Sequence, residues 1–177
     1  MLRIGRQLAV LVAICAISAC GGSSSSSSSS SPSPSLIASV DACSLVTAAE
    51  ASAAAGATLT NIAGVSTPGT CFYGEQGGSA GVFVYAQVYR DAATANAVTA
   101  QQISAALGAQ VGNGATSGKE VSGIGDKAFE FTAAGNAGNG MAIIVFKANV
   151  VMMILVDPST SPGTIEKLAK TAVSRLH

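Results

Sequence analysis

The sequence predicts an α+β domain: a mainly antiparallel sheet of about five or six strands with three helices, in the order α-ββ-α-βββ-α. Three observations carry that expectation. "GVFVYAQVY", Gly81 to Tyr89, alternates strictly, with Val82, Val84, Ala86 and Val88 on one side and Phe83, Tyr85, Gln87 and Tyr89 on the other. "MAIIVFK" and "VVMMILV" are apolar on both faces and flank Ala148-Asn149, as the arms of a central hairpin with a two-residue turn would. Hairpins segregated from capped helices argue against parallel βαβ units.

The elements follow in order along the chain. Thr47-Ala-Ala-Glu50 is a capping box, in which the Thr hydroxyl and the Glu carboxylate satisfy first-turn N–H groups, and Gly56 supplies the stop. A helix over Ala48 to Ala55 results. Thr58 to Ile62 and "TCFYGEQ" read as strands, and Gly81 to Tyr89 follows with its aliphatic side toward the core. Asp91 to Leu107 reads as a helix capped by Asp91 or Thr94, with Val98, Ile103 and Leu107 as its larger apolar residues. "KAFEFT", Lys127 to Thr132, is the next strand, and the hairpin arms follow it. Ser161-Pro162 is a cap and first helical position for a closing helix. That helix gathers Ile165, Leu168, Ala169, Ala172, Val173 and Leu176 on one face.

The N-terminus carries a different kind of signal. Arg3 and Arg6 precede ten apolar residues, Leu8 to Ile17, about half of the roughly 20 that a spanning helix needs. Ile17-Ser18-Ala19-Cys20 then resembles the lipobox of bacterial lipoproteins. The resemblance implies a signal peptide over residues 1–19, cleavage before Cys20, and a diacylglyceryl group, usually joined by a further acyl chain, on Cys20. Two or more chains give stable membrane anchoring. Gly21, rather than Asp, follows the Cys, which in a two-membrane bacterium implies the outer membrane, facing the periplasm.

Residues 20–35 then form a lipidated Cys and a tether. Gly21 to Ser35 contains only Gly, Ser and Pro, including nine consecutive serines, and offers no apolar side chain to a core. As a flexible coil it reaches about 20 Å. The globular domain is expected over residues 36–177. Cys15 leaves with the leader and Cys20 is consumed by lipid, so Cys43 and Cys71 remain to pair as one disulfide. Closing that loop should stabilise the fold by about 3 to 4 kcal/mol.

A second resemblance lies in the domain. Cys43-Ser-Leu-Val-Thr47-Ala-Ala-Glu50, Cys71 with Phe72 and Tyr73, and Val121-Ser-Gly123-Ile-Gly125-Asp126-Lys-Ala-Phe129 resemble landmarks of small bacterial envelope lipoproteins of unknown function. In these, a "CSLLT" helix opens the domain and a "VxGxGD" loop leads into a strand. The resemblance implies an exported α+β domain with one disulfide, and no activity. Physically, Gly123 and Gly125 permit a tight structural turn, and Asp126 is placed to accept from backbone N–H groups there.

Several functions are read as excluded. Beyond the leader the chain holds seven Lys or Arg against nine acids, with no basic block, so no nucleic-acid partner is expected. The single His is His177 and no CxxC occurs, so no metal site is expected. No cofactor motif is read. A Ser-His-Asp arrangement lacks its His in the body of the chain, and Cys-His chemistry lacks a free thiol. The expectation is therefore of a protein that is not an enzyme, although paired carboxylates, Glu120 with Asp126 or Glu130, are left open. Two roles fit. One is a ligand-binding or sensory lipoprotein using Phe83, Tyr85 and Tyr89 as a binding face; the other is a structural or protein-interaction module of the cell envelope with a protein partner.

Overall fold

A computed structural model describes residues 35–99, 102–103, 118–135, 138–158 and 160–177. The expected leader and lipobox, most of the expected tether, and residues 100–101 and 104–107 of the expected middle helix lie outside the described residues. The domain is α+β, with a mainly antiparallel sheet and one disulfide.

The strands are β1 (Leu59–Asn61), β2 (Thr70–Glu75), β3 (Gly81–Val88), β4 (Lys119–Val121), β5 (Lys127–Gly135), β6 (Gly138–Lys147) and β7 (Val150–Asp157). They lie in the order β1-β2-β3-β7-β6-β5-β4, and every neighbouring pair is antiparallel. Two meanders, β1 to β3 and β4 to β7, are thus joined edge to edge along β3 and β7. Their register runs unbroken from Gly81 opposite Asp157 to Val88 opposite Val150. The strands apolar on both faces therefore take the centre, where both faces are covered.

Four helices have both ends described: α1 (Ala42–Leu45), α2 (Ala48–Ala55), α3 (Ala92–Ala97) and α4 (Pro162–Ser174). α1, α2 and α4 cover one face of the sheet, burying Val82, Val84, Ile143, Val145, Met152 and Ile154 against Leu45, Ala51, Ile165 and Leu168. The alanines of α2 let its backbone approach the sheet closely. α3 lies over the other face, where Ala95 joins Ile144, Phe146, Val151 and Met153 in a second core.

Three expectations need correction. The sheet has seven strands rather than five or six, because β4 is a three-residue edge strand, "KEV", too short and too charged to show a period. Four helices have both ends among the described residues, where three were expected, because Asp41 caps an additional short turn by accepting from Cys43 N at 3.0 Å. The middle helix stops at Ala97, with Val98 in an extended conformation. The physical reason is a second capping box: Thr99 Oγ1 accepts from Gln102 N at 3.1 Å, and Gln102 Oε1 accepts from Thr99 N at 2.9 Å. Thr99 starts a new turn instead of continuing α3.

The antiparallel order sorts the connections to two ends of the sheet. At one end lie the β6–β7 turn, the loop between β4 and β5, the residues after β3, and the loop into which β1 runs and from which β2 starts. The β2–β3 turn and Asp157 lie at the other. The chain reaches the domain at the first end, where Ile37 is bonded to Asn149 of the β6–β7 turn.

Candidate functional site

The face of the sheet under α3 is built in rows. The register sets Gln87, Val151, Phe146 and Lys127 side by side across β3, β7, β6 and β5. The next rows are Tyr85, Met153, Ile144 and Phe129, then Phe83, Leu155, Ala142 and Phe131. α3 and Ile103 cover the middle of this surface, and Phe83, Tyr85, Tyr89, Phe129 and Leu155 stay half-buried around the covered part. The aromatic side of β3 is therefore neither wholly core nor wholly open.

One polar residue organises that strip. Tyr85 donates its hydroxyl to Gln87 Oε1, and Tyr89 donates to the same oxygen at 3.1 Å. With its oxygen taken twice, Gln87 is exposed and has both amide N–H groups available as donors. Burial pushes both phenols above their ordinary pKa, and Tyr85 is raised further by Tyr89. Both remain neutral hydroxyls over the physiological range. Across the sheet, the Lys127 ammonium lies 4.5 Å from the Phe146 ring centroid and 5.4 Å from that of Phe129. Phe129 meets Phe146 edge to face at 6.3 Å.

The loop before β5 has a structural arrangement. Gly123 and Gly125 have φ of 77° and 61°, and a Cβ on Gly125 would lie 2.5 Å from Phe146 O. Asp126 N donates to that same carbonyl at 2.8 Å. Its carboxylate accepts from Ala148 N at 2.7 Å and from Lys147 Nζ at 3.1 Å, which braces the β6–β7 turn where Ala148 takes a φ of 51°. Burial acts to raise the Asp126 pKa, but the Ala148 N–H and the Lys147 ammonium outweigh it and hold the carboxyl below its ordinary value.

The carboxylate pairs left open by the sequence are not brought together. Glu120 stands opposite Phe129, whereas Glu130 stands opposite Lys119 on the other face of the sheet, and Asp126 is engaged with the turn. Glu130 is buried beside α4, 7% exposed, and its Oε1 has no hydrogen-bond partner. Among the described residues no group of three or more His, Cys, Asp or Glu is placed to hold a metal ion. No described helix is long and apolar enough to cross a membrane.

Cys43 and Cys71 form the disulfide, which ties α1 to β2. Nearby, a cleft of about 310 Å³ is lined by Asp41, Ser44, Leu45 and Arg175, among others. Arg175 is committed there. It donates to both oxygens of Glu50 at 2.6 and 2.8 Å and to Leu45 O at 2.7 Å, clamping the end of α4 to the start of α2.

Two residues escaped the sequence reading. The role of Gln87 had no signal beyond its place between two tyrosines on one side of a strand. Asn149 was legible only as a turn residue, yet its buried side chain holds Ile37 and the Tyr89 carbonyl together. Compared with known proteins, the chain matches no family model and no curated protein.

Proposed function

We propose that this chain is a lipid-anchored protein of the bacterial cell envelope whose non-enzymatic domain binds a ligand through the outer side of β3. Cys20 is the lipidation site, Gly21 to Ser35 the tether, and Phe83, Tyr85, Gln87 and Tyr89 the binding strip. The observation that carries the reading is the shared Gln87 oxygen, which orders two phenols and presents an amide donor between them. Such a strip suits a neutral ligand with an apolar face for the rings and an acceptor for the amide.

Two experiments test it. Cys20→Ser followed by membrane fractionation should move the protein out of the lipid-anchored fraction; an unchanged distribution of acylated protein would reject Cys20 as the anchor. Tyr85→Ala with Tyr89→Ala should lower the melting temperature modestly and abolish binding of whatever neutral ligand a screen on the wild-type chain returns. Collapse of the fold would mean that the strip serves as core, and full retention of binding by Gln87→Ala would reject the amide as the donor that holds the ligand.

A further inference from the structure

Large apolar side chains are exposed in only two described segments: Leu36 at 57%, and Ile62 and Val65 at 40% and 60% in the β1–β2 loop, where Ile62 folds back over Gly74 of β2 and Val65 stands clear. Scattered exposed hydrophobics need no explanation; their concentration does. Leu36 precedes Ile37, which Asn149 pins at the β6–β7 turn. The β1–β2 loop is at the same end of the sheet and is drawn toward the incoming chain by two links. Ala42 N donates to Pro68 O at 2.8 Å, and Cys43 is bonded to Cys71. Two ion pairs lie at this end, Arg90 with Asp91 at 3.0 Å and Lys147 with Asp126 at 3.1 Å, while the Lys127 ammonium lies over the Phe146 ring and Asp41 accepts from Cys43 N. Pairing lowers the desolvation cost of bringing this end against a surface of low dielectric.

We infer that this end of the sheet docks on the bilayer that holds the lipid, with Leu36 and Val65 inserted at the boundary between headgroups and acyl chains. The inference rests on the lipid-anchored reading and goes beyond it by giving the domain an orientation. The occupant is a lipid surface because the tether joins the domain at Leu36, the exposed apolar residue nearest to it in the chain. A tether reaching about 20 Å keeps these side chains within range of the membrane at high effective concentration. Insertion of two side chains is weak alone and becomes useful once a lipid anchor has removed the cost of encounter.

The chain contains no Trp, so a single introduced indole is a unique reporter. The lipidated full chain carrying Val65→Trp, reconstituted in phosphatidylethanolamine and phosphatidylglycerol vesicles, should show blue-shifted emission. It should lose intensity when the acyl chains are brominated, as expected for a group at the headgroup boundary. Gln76→Trp, in the β2–β3 turn at the opposite end, should show neither effect, and Leu36→Trp is the second probe should Val65→Trp fold poorly. Flotation without quenching of either end-specific probe, or with equal quenching at Gln76→Trp, overturns docking while leaving the anchor intact. Failure of the wild-type chain to float overturns the anchor and the docking with it.

Discussion

Asn149 takes both backbone polar groups of Ile37: its Oδ1 accepts from Ile37 N at 2.8 Å and its Nδ2 donates to Ile37 O at 2.9 Å. The same Nδ2 donates to Tyr89 O at 2.7 Å, so one side chain, only 2% exposed, joins the incoming segment, the hairpin turn and the end of the aromatic strip. Asn149→Ala leaves these groups to find water or go unpaired. A loss of about 2 kcal/mol is expected in urea unfolding. Hydrogen exchange at the Ile37 amide should rise by local opening, while that of the central β6 and β7 amides should rise only as far as the loss of global stability requires.

Glu50 gives stability at neutral pH that acid removes. Its hydrogen bonds to Arg175, then those to Thr47, hold its pKa down to about 2 against a lesser opposing effect of burial. A carboxylate depressed in the folded state contributes stability above its unfolded pKa and loses it as pH falls through the folded value. Unfolding free energy should therefore decline from about pH 4.5 toward pH 2. Glu50→Gln should flatten that decline. Both side chains of the pair are about one-third exposed, so the loss at pH 7 is expected to be about 1 kcal/mol.

Glu130 has the opposite sign. Burial raises its pKa, Glu166 raises it further, and Lys119 only partly opposes them. A carboxyl raised in the folded state costs nothing below its unfolded pKa and destabilises progressively as pH rises through its folded value. Glu130→Gln should accordingly leave the melting temperature unchanged near pH 4 and raise it at pH 8, by roughly 1 kcal/mol of stability. Equal effects at both values would show that the carboxyl's charge is not the cause.

Gly123 and Gly125 should respond differently to the same substitution. Both have positive φ, so alanine costs about 1 kcal/mol at either from conformation alone. At Gly123 a Cβ meets nothing within 4 Å, whereas at Gly125 it meets the Phe146 carbonyl at 2.5 Å. Gly125→Ala must also displace Asp126 from that carbonyl and from the β6–β7 turn. Thermal unfolding should place Gly125→Ala about 2 kcal/mol or more below Gly123→Ala.

What the sequence made legible follows from how local each signal is. The edges of α2 and the start of α4 lie in the capping residues themselves, Thr47 with Glu50 and Ser161 with Pro162. β3, β6 and β7 were readable because a buried strand shows its faces in its own alternation or its own apolar run. β4 was not, because three residues with two charges make a strand only when β5 is beside them. The break after Ala97 could have been found in Thr99 and Gln102, whose spacing repeats that of Thr47 and Glu50. The tyrosines of the candidate site were visible as one side of β3, but their meeting on a single Gln87 oxygen depends on rotamers that no alternation encodes. Asp126 and Ala148 are partners 22 residues apart, and only the folded register brings them together.

The position of the disulfide determines what a mechanical pull on the chain ahead of Leu36 would do. Tension would first strip Ile37 from Asn149 and then Ala42 from Pro68, paying out Ser35 to Ala42. At Cys43 it would meet a covalent stop in β2, a strand hydrogen-bonded on both sides. The segment would lengthen by at most roughly 25 to 30 Å with the sheet still whole. The domain would thus yield slack under load before it yields fold.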